Sequence, residues 1–171
     1  MGQLLNTCVD ICLLRSGPQQ LPSSSFLLAL TALLGLVTGT LVIVESFGAL
    51  GIALSAQFLD LLLLLSLLWV GLQLTGRGGR FLQTGAALCG SAVLINLVTM
   101  PIQLLVSDDP AGSLLTELGV LAYIFMVIWA LVVVGHIVRH AFEIRLGGGI
   151  LVALGYFLCV NWLVQSLFPL V

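Results

Sequence analysis

Residues 50–74 read LGIALSAQFLDLLLLLSLLWVGLQL, a long apolar run in which Asp60 is the sole charged group. A helix needs about 20 predominantly apolar residues to cross the hydrocarbon core of a bilayer. The run meets that requirement without interruption by a strong helix breaker. It therefore predicts a transmembrane helix.

The rest of the chain has the same character. Hydrophobic residues make up 60% of the sequence, charged residues only 7%, and the mean hydropathy is +1.25. An ordinary soluble domain carries about 25% charged residues, so lipid must be the solvent for most of this surface. The net charge is −2, and no basic patch is present that would bind nucleic acid. We expect a single-domain integral membrane protein.

Four further runs are long and apolar enough to span a bilayer. Turn signals separate the runs at Gly76–Arg80, at Asp108–Pro110 and at Gly147–Gly149, and Ser23–Ser25 offers N-cap hydroxyls before the first run. The predicted fold class is all-α, a polytopic transmembrane helical bundle occupying residues 26–171. Its spans are Phe26–Ser46, Leu50–Leu74, Phe81–Val106, Ser113–Val138 and Gly148–Leu170.

The arginines predict how this bundle is oriented. The chain has no Lys, and all five of its bases fall on one side of the predicted spans: Arg15, Arg77, Arg80, Arg139 and Arg145. The opposite loops carry only acids, namely Glu45, Asp108 and Asp109. The positive-inside rule then places the N-terminus in the cytoplasm and the C-terminus outside. A Leu- and Arg-rich chain without Lys is typical of a GC-rich bacterial genome, so we expect the bacterial cytoplasmic (inner) membrane.

Residues 1–25 form a separate segment before the first span. Gln3–Arg15 is too short to cross a bilayer, and its polar and apolar residues fall on opposite sides of a helical wheel. This pattern is typical of an amphipathic helix lying in the cytoplasmic interface. Cys8 and Cys12 lie on its apolar side, where two thiols are read as apolar contacts.

Asp60 lies near the centre of the second predicted span. An ionised carboxylate there is costly, so the group must be protonated, paired or exposed to water. Asn96 and Asn161 lie at similar depth and could be its partners. One interpretation is a proton relay or ion site; the other, which we favour, is a hydrogen bond that holds helices together. Glu117, the fourth member of this intramembrane polar cluster, would be stabilised by the N-terminal dipole of its helix.

Two other patterns each allow a structural and a functional interpretation. Gly35 and Gly39 form a small-xxx-small face, which favours packing inside the bundle over contact with a second copy of the chain. His136, His140 and Glu143 share one helical face and could approach a divalent metal. Nothing nearby supplies a definite fourth ligand, so no metal site is predicted.

The layout of the chain resembles the bacterial relatives of the Yip1 family. The resemblance rests on Gly17-Pro18 and Pro22 in a short cytoplasmic segment, on five closely spaced spans with a tail ending outside at Val171, and on the Gly155-Tyr156 pair. The acidic-aromatic segment that accompanies Gly-Pro in the family is absent before the first span. The resemblance implies a five-helix membrane scaffold that works through partners.

No catalytic constellation is present: there is no phosphate loop, no HExxH sequence and no nucleophile beside a plausible base. We therefore predict a non-enzyme without a cofactor. The favoured hypothesis is a small scaffold or subunit that contacts membrane lipids and other membrane proteins, and self-association is left open. The alternative is a transporter or a proton- or ion-conducting component that uses Asp60.

Overall fold

The computed structural model describes residues 2–107 and 114–168, and these residues fold into six α-helices. Five of the helices are long and apolar enough to cross a membrane, so the prediction of an all-α transmembrane bundle with five spans is confirmed. The six helices are α1 (Gly2–Cys12), α2 (Ser25–Phe47), α3 (Leu50–Leu74), α4 (Phe81–Ser107), α5 (Leu114–Phe142) and α6 (Leu146–Leu167). Single turns of 3₁₀-helix precede α2 and α4, at Pro18–Gln20 and Gly78–Arg80.

The first two spans begin and turn where the sequence predicts. The Ser24 side chain accepts a hydrogen bond from the Leu27 N–H at 3.3 Å, which caps the start of α2. Gly48 follows the last residue of α2 with a φ of 65°, the left-handed conformation that glycine adopts without a steric penalty. One more residue, Ala49, completes the turn before α3. Of the remaining predicted boundary residues, Asp108–Ser113 and 169–171 lie outside the described residues.

Helix α4 lies at the centre of the bundle. Its residues 84–91, TGAALCGS, are all buried. The helix packs against α2 on one side and α5 on another. A methyl group on Gly85 would lie only 2.9 Å from the Leu28 side chain of α2, so the small residues of α4 leave room for side chains of its neighbour. Helix α3 then packs against α2, and α6 packs against α5.

The start of α6 differs from the prediction. The glycines at 147–149 were expected to break the chain before a span at 148, but α6 already begins at Leu146 and includes all three. Gly149 is buried, and a Cβ there would collide with the carbonyl oxygen of Gly135 in α5. The physical reason is that glycine permits two helix backbones to touch. Gly149 is therefore a packing residue and not a helix breaker.

The end of α5 also extends beyond the predicted Val138, to Phe142. Two arginines from the α3–α4 connection cap its C-terminal carbonyl groups: Arg77 donates to the Phe142 oxygen at 2.5 Å, and Arg80 to the His140 oxygen at 3.3 Å. Glu143 follows with a φ of 54° and binds both guanidinium groups at 2.7 Å. The sequence-based boundary marked the end of the apolar run, whereas the helix ends where these carbonyl groups are capped.

Helix α1 ends at Cys12, before the Arg15 that the sequence predicted, and packs against α4 and α5. Its Ile11 side chain is fully buried. The Cys8 sulfur lies 3.2 Å from the position that a Cβ on Gly90 would occupy. Gly90 is nine residues into α4, roughly 14 Å along its axis. Helix α1 therefore lies alongside α4 to about that depth. One face of α1 therefore packs on protein, while Leu5 on another face is exposed.

Gly149 provides a test of the α5–α6 contact. We expect Gly149→Ala to reduce stability by about 1–3 kcal/mol, because the added methyl group forces the two backbones apart. Gly147→Ala is the matched control, since nothing lies within 4 Å of a Cβ at that position. Unfolding by SDS titration in mild detergent measures both variants. Equal stability of the two would contradict the close backbone contact.

Candidate functional site

The candidate site lies between α3 and α6. These two helices pack mainly on α2 and α5 respectively, and meet each other over few residues. A cleft remains between them. It contains one polar cavity and one apolar cavity, and the side chain of Tyr156 lines both.

Asp60 of α3 and Tyr156 of α6 form the main polar contact across this cleft. The Tyr156 hydroxyl donates to Asp60 Oδ1 at 2.6 Å and lies 3.0 Å from the Asp60 backbone oxygen. Gln57, one helical turn before Asp60, donates to Oδ2 at 3.4 Å. Asp60 is ten residues from the start of α3, about 15 Å along its axis, which is half of a hydrocarbon core about 30 Å thick. Both carboxylate oxygens are therefore hydrogen-bonded near mid-depth.

The polar cavity extends from Asp60 towards the end of the bundle that lacks arginines. Its volume is about 430 Å³. Ser46 and Phe47 at the end of α2 and Gln165 near the end of α6 mark its outer part. Amide side chains and aromatic rings make up much of the remaining wall, and the described lining contains no Arg, Lys or His: Ile43, Ala56, Gln57, Tyr123, Tyr156, Phe157, Val160, Asn161 and Val164. Asp60 is thus the one acidic residue in this lining.

The apolar cavity lies on the other side of Tyr156, towards the arginine-bearing end. It has a volume of about 380 Å³ and is walled almost entirely by carbon. Leu64 and Leu68 of α3 face Val152 and Ala153 of α6 across it. The Asp60–Tyr156 hydrogen bond therefore links α3 to α6 between the two cavities, and Ala53 and Ala56 of α3 share an apolar cluster with Val164 of α6 towards the acidic end.

The structure brings together only part of the predicted polar cluster. Asn161 lines the same cavity as Asp60, although its amide donates to the Phe157 carbonyl oxygen at 2.8 Å. Asn96 instead donates to the Thr38 hydroxyl at 3.3 Å, between α4 and α2. Glu117 is exposed in the first turn of α5. The expectation that an asparagine would be the partner of Asp60 is corrected: its partners are Tyr156 and Gln57.

Tyr156 is the residue of the candidate site that sequence reasoning did not place there. A tyrosine in an apolar run reads as a packing residue, and depth along a helix does not give the direction in which a side chain points. The available signal was chemical, because a buried tyrosine hydroxyl normally finds a hydrogen-bond partner. Asp60 is an acceptor at matching depth, since Tyr156 is eleven residues from the end of α6, roughly 16 Å.

Gly35 and Gly39 both lie against other helices of the same chain. A Cβ on Gly35 would be 3.7 Å from the Cys89 carbonyl oxygen of α4. A Cβ on Gly39 would be 2.6 Å from the Gln57 side chain of α3. Gly39 therefore makes room for the residue that donates to Asp60, which links this packing face to the site.

The residues His136, His140 and Glu143 do not converge on a common point. His136 Nε2 lies 2.9 Å from the carbonyl oxygen of Ser16; since a carbonyl can only accept, that nitrogen carries the proton. Glu143 is held by two arginines, and the hydrogen bond from Arg80, with the charges of Arg77 and Arg80, lowers its pKa. In residues 2–107 and 114–168, no group of three His, Cys, Asp or Glu side chains could hold a metal ion.

The two cysteines of α1 face the bundle. Burial raises the pKa of Cys8, and burial together with the nearby Cys8 raises that of Cys12 to about 11. Both thiols therefore stay protonated at neutral pH, and a thiol is neither a strong nucleophile nor a good metal ligand. They act as small apolar side chains in the contact between α1 and the bundle.

The Asp60–Tyr156 contact makes a direct prediction. Tyr156→Phe removes the donor that joins α6 to α3 while keeping the ring, so we expect a loss of stability of about 1 kcal/mol. Tyr123→Phe removes a hydroxyl from the same cavity that has no hydrogen bond to Asp60, and should leave stability unchanged. SDS titration compares the two. An equal effect of both variants would show that the hydroxyl of Tyr156 has no special role.

Comparison of the chain with protein-family models, with curated proteins and with solved structures gave no match. The resemblance of the layout to bacterial Yip1 relatives therefore stays a prediction. The described residues show an integral membrane protein with five apolar helices and a polar cavity around Asp60.

Proposed function

We propose that the protein is a small non-enzymatic scaffold or subunit of the bacterial cytoplasmic membrane, acting through contacts with lipids and other membrane proteins. Its connections in the described residues are short, such as Gly48–Ala49 between α2 and α3 and residues 143–145 between α5 and α6. They offer little surface outside the bilayer for a partner or substrate. The predicted resemblance of the layout to bacterial Yip1 relatives agrees with this role.

The proposal rests on the outward faces of the spans. Large apolar side chains protrude from α5 and α6, among them Phe125, which is 62% exposed, and Trp162, which is 70% exposed. Aromatic residues of this kind are enriched where protein surfaces bind one another. In a membrane they also contact lipid, so both classes of partner belong to the proposal.

The orientation is part of the same proposal. Arg77 and Arg80 of the α3–α4 connection donate hydrogen bonds to the C-terminal end of α5. The α3–α4 connection and the α5–α6 connection therefore lie at the same end of the bundle. The Ser16–His136 contact brings the segment after Arg15 towards α5 as well. Bases gathered at one end support a cytoplasmic location for that end.

A photo-crosslinking experiment tests the scaffold proposal. A photoreactive phenylalanine analogue at Trp162 or Phe125 should give discrete adducts in native membranes. The same analogue at Leu72, which is fully buried, is the control and should give none. An adduct of twice the chain mass would identify self-association as the contact. Purification as a lone monomer without a retained protein or lipid, with no discrete adduct, would contradict the proposal.

A second candidate function is a transporter or a proton- or ion-conducting component, which the Asp60 cavity favours. A carboxylate near mid-depth that lines a polar cavity has the arrangement expected along an ion path. The cavity extends towards one end of the bundle, whereas the space beyond Tyr156 is apolar. Tyr156 would then separate the two sides of the path.

Flux through proteoliposomes tests this second function. Asp60→Asn should abolish proton or cation flux, because the amide cannot release a proton or hold a positive charge. Glu117→Gln removes a carboxylate outside the cavity and should leave flux intact. Equal flux in the wild type and Asp60→Asn, or no flux in the wild type, would remove this candidate.

A further inference from the structure

We propose that the Asp60 cavity is an equilibrium binding site for a small organic monocation, such as a substituted ammonium ion with an apolar or aromatic group. The argument starts from charge. Asp60 is the sole acidic residue in the described lining, and no basic residue faces it there. A single carboxylate in a membrane cavity can be neutralised by one positive charge, so the charge selects a monocation.

The aromatic composition of the wall indicates the kind of cation. Four aromatic residues line the cavity with Asp60: Phe47, Tyr123, Tyr156 and Phe157. They come from α2, α5 and α6, so the rings belong to three different helices. The face of an aromatic ring attracts a weakly hydrated cation, and ammonium groups in proteins are commonly recognised in this way.

The same wall is poorly suited to a metal ion. Hard cations take six or more oxygen ligands at short range, whereas Asp60 supplies the one carboxylate of the described lining. The described residues contain no cluster of three acidic, His or Cys side chains. Much of the lining is carbon. An organic cation loses less hydration on entering such a site than a metal ion does.

Size and polarity fit the same occupant. A volume of about 430 Å³ lies within the range of roughly 300–1,000 Å³ typical of small-molecule sites. Asn161 and Gln165 place amide groups between Asp60 and the outer end of the cavity. These groups can hydrogen-bond a polar substituent or the water that accompanies the ligand. The site therefore combines charge, aromatic rings and neutral hydrogen-bonding groups around one space.

This inference rests on the same carboxylate as the second proposed function, but it concerns binding and not transport. A protein that binds the cation and conducts nothing would remove the transport proposal and leave this one standing. Flux that depends on Asp60, without preference for an organic cation, would do the reverse. The two failures are therefore distinguishable.

The test uses the full chain in nanodiscs and benzyltrimethylammonium as the probe, measured by isothermal titration calorimetry. Empty nanodiscs of the same lipid correct for partitioning. We expect saturable binding of the cation and at least about tenfold weaker binding of benzyl methyl sulfone, a neutral molecule of similar size. Equal binding of the neutral molecule, or no saturable binding of the cation, would overturn the proposal.

Variants locate the bound cation. Asp60→Asn should weaken binding by at least about tenfold, whereas Glu117→Gln, which removes an equal charge from outside the cavity, should change it by less than about twofold. Tyr123→Leu removes one aromatic ring from the lining and should weaken binding by about fivefold. If the Asp60→Asn variant does not have the helicity and the elution profile of the wild type, Tyr123→Leu tests the site in its place. If every variant at Asp60 or Tyr123 that folds binds the cation with wild-type affinity, the assignment of the cation to this cavity is overturned.

Discussion

The fold depends on the close approach of helix backbones to α4. In lipid, apolar side chains gain little by contacting one another instead of acyl chains, so helices associate where small residues allow dense packing. Residues 84–91 of α4 supply such a surface, and all of them are buried. Helices α2 and α5 occupy it. The outer helices α3 and α6 are then held by these neighbours and have little contact with α4 or with each other.

The candidate site is a result of that arrangement. Two helices that are positioned by different neighbours leave space where they face each other, and a polar pair can bridge it without a tightly packed interface. Asp60 and Tyr156 form this bridge at 2.6 Å. Dispersion contacts weaken when a cavity lies beside them, because they need many atoms in contact. A hydrogen bond needs only a donor and an acceptor at the right distance, so it can form next to a cavity. The polar and apolar cavities therefore lie on either side of the bridge.

The length of the apolar runs and the turn residues between them were sufficient to predict the five spans, because in lipid each backbone must satisfy its own hydrogen bonds. They were not sufficient at Gly149 or Phe142, where the helix limits depend on contacts with Gly135 and with two arginines distant in sequence. The site was predicted in part. Asp60 was identifiable as a charge in an apolar run, whereas Tyr156 was not, since depth fixes height along the bundle but not rotation about each helix axis.

The two ends of the bundle are held by different kinds of contact. At one end, Arg77 and Arg80 join the α3–α4 connection to Glu143 and to the carbonyl groups that terminate α5. The backbone crossing of Gly135 and Gly149 adds α6 to the same anchored group. At the other end, beside the polar cavity, Ala53 and Ala56 of α3 belong to one apolar cluster with Phe47 of α2 and Val164 of α6. One end of the bundle is thus held by ion pairs and capped carbonyl groups and the other by apolar contacts, so added salt should weaken the first set of contacts more than the second.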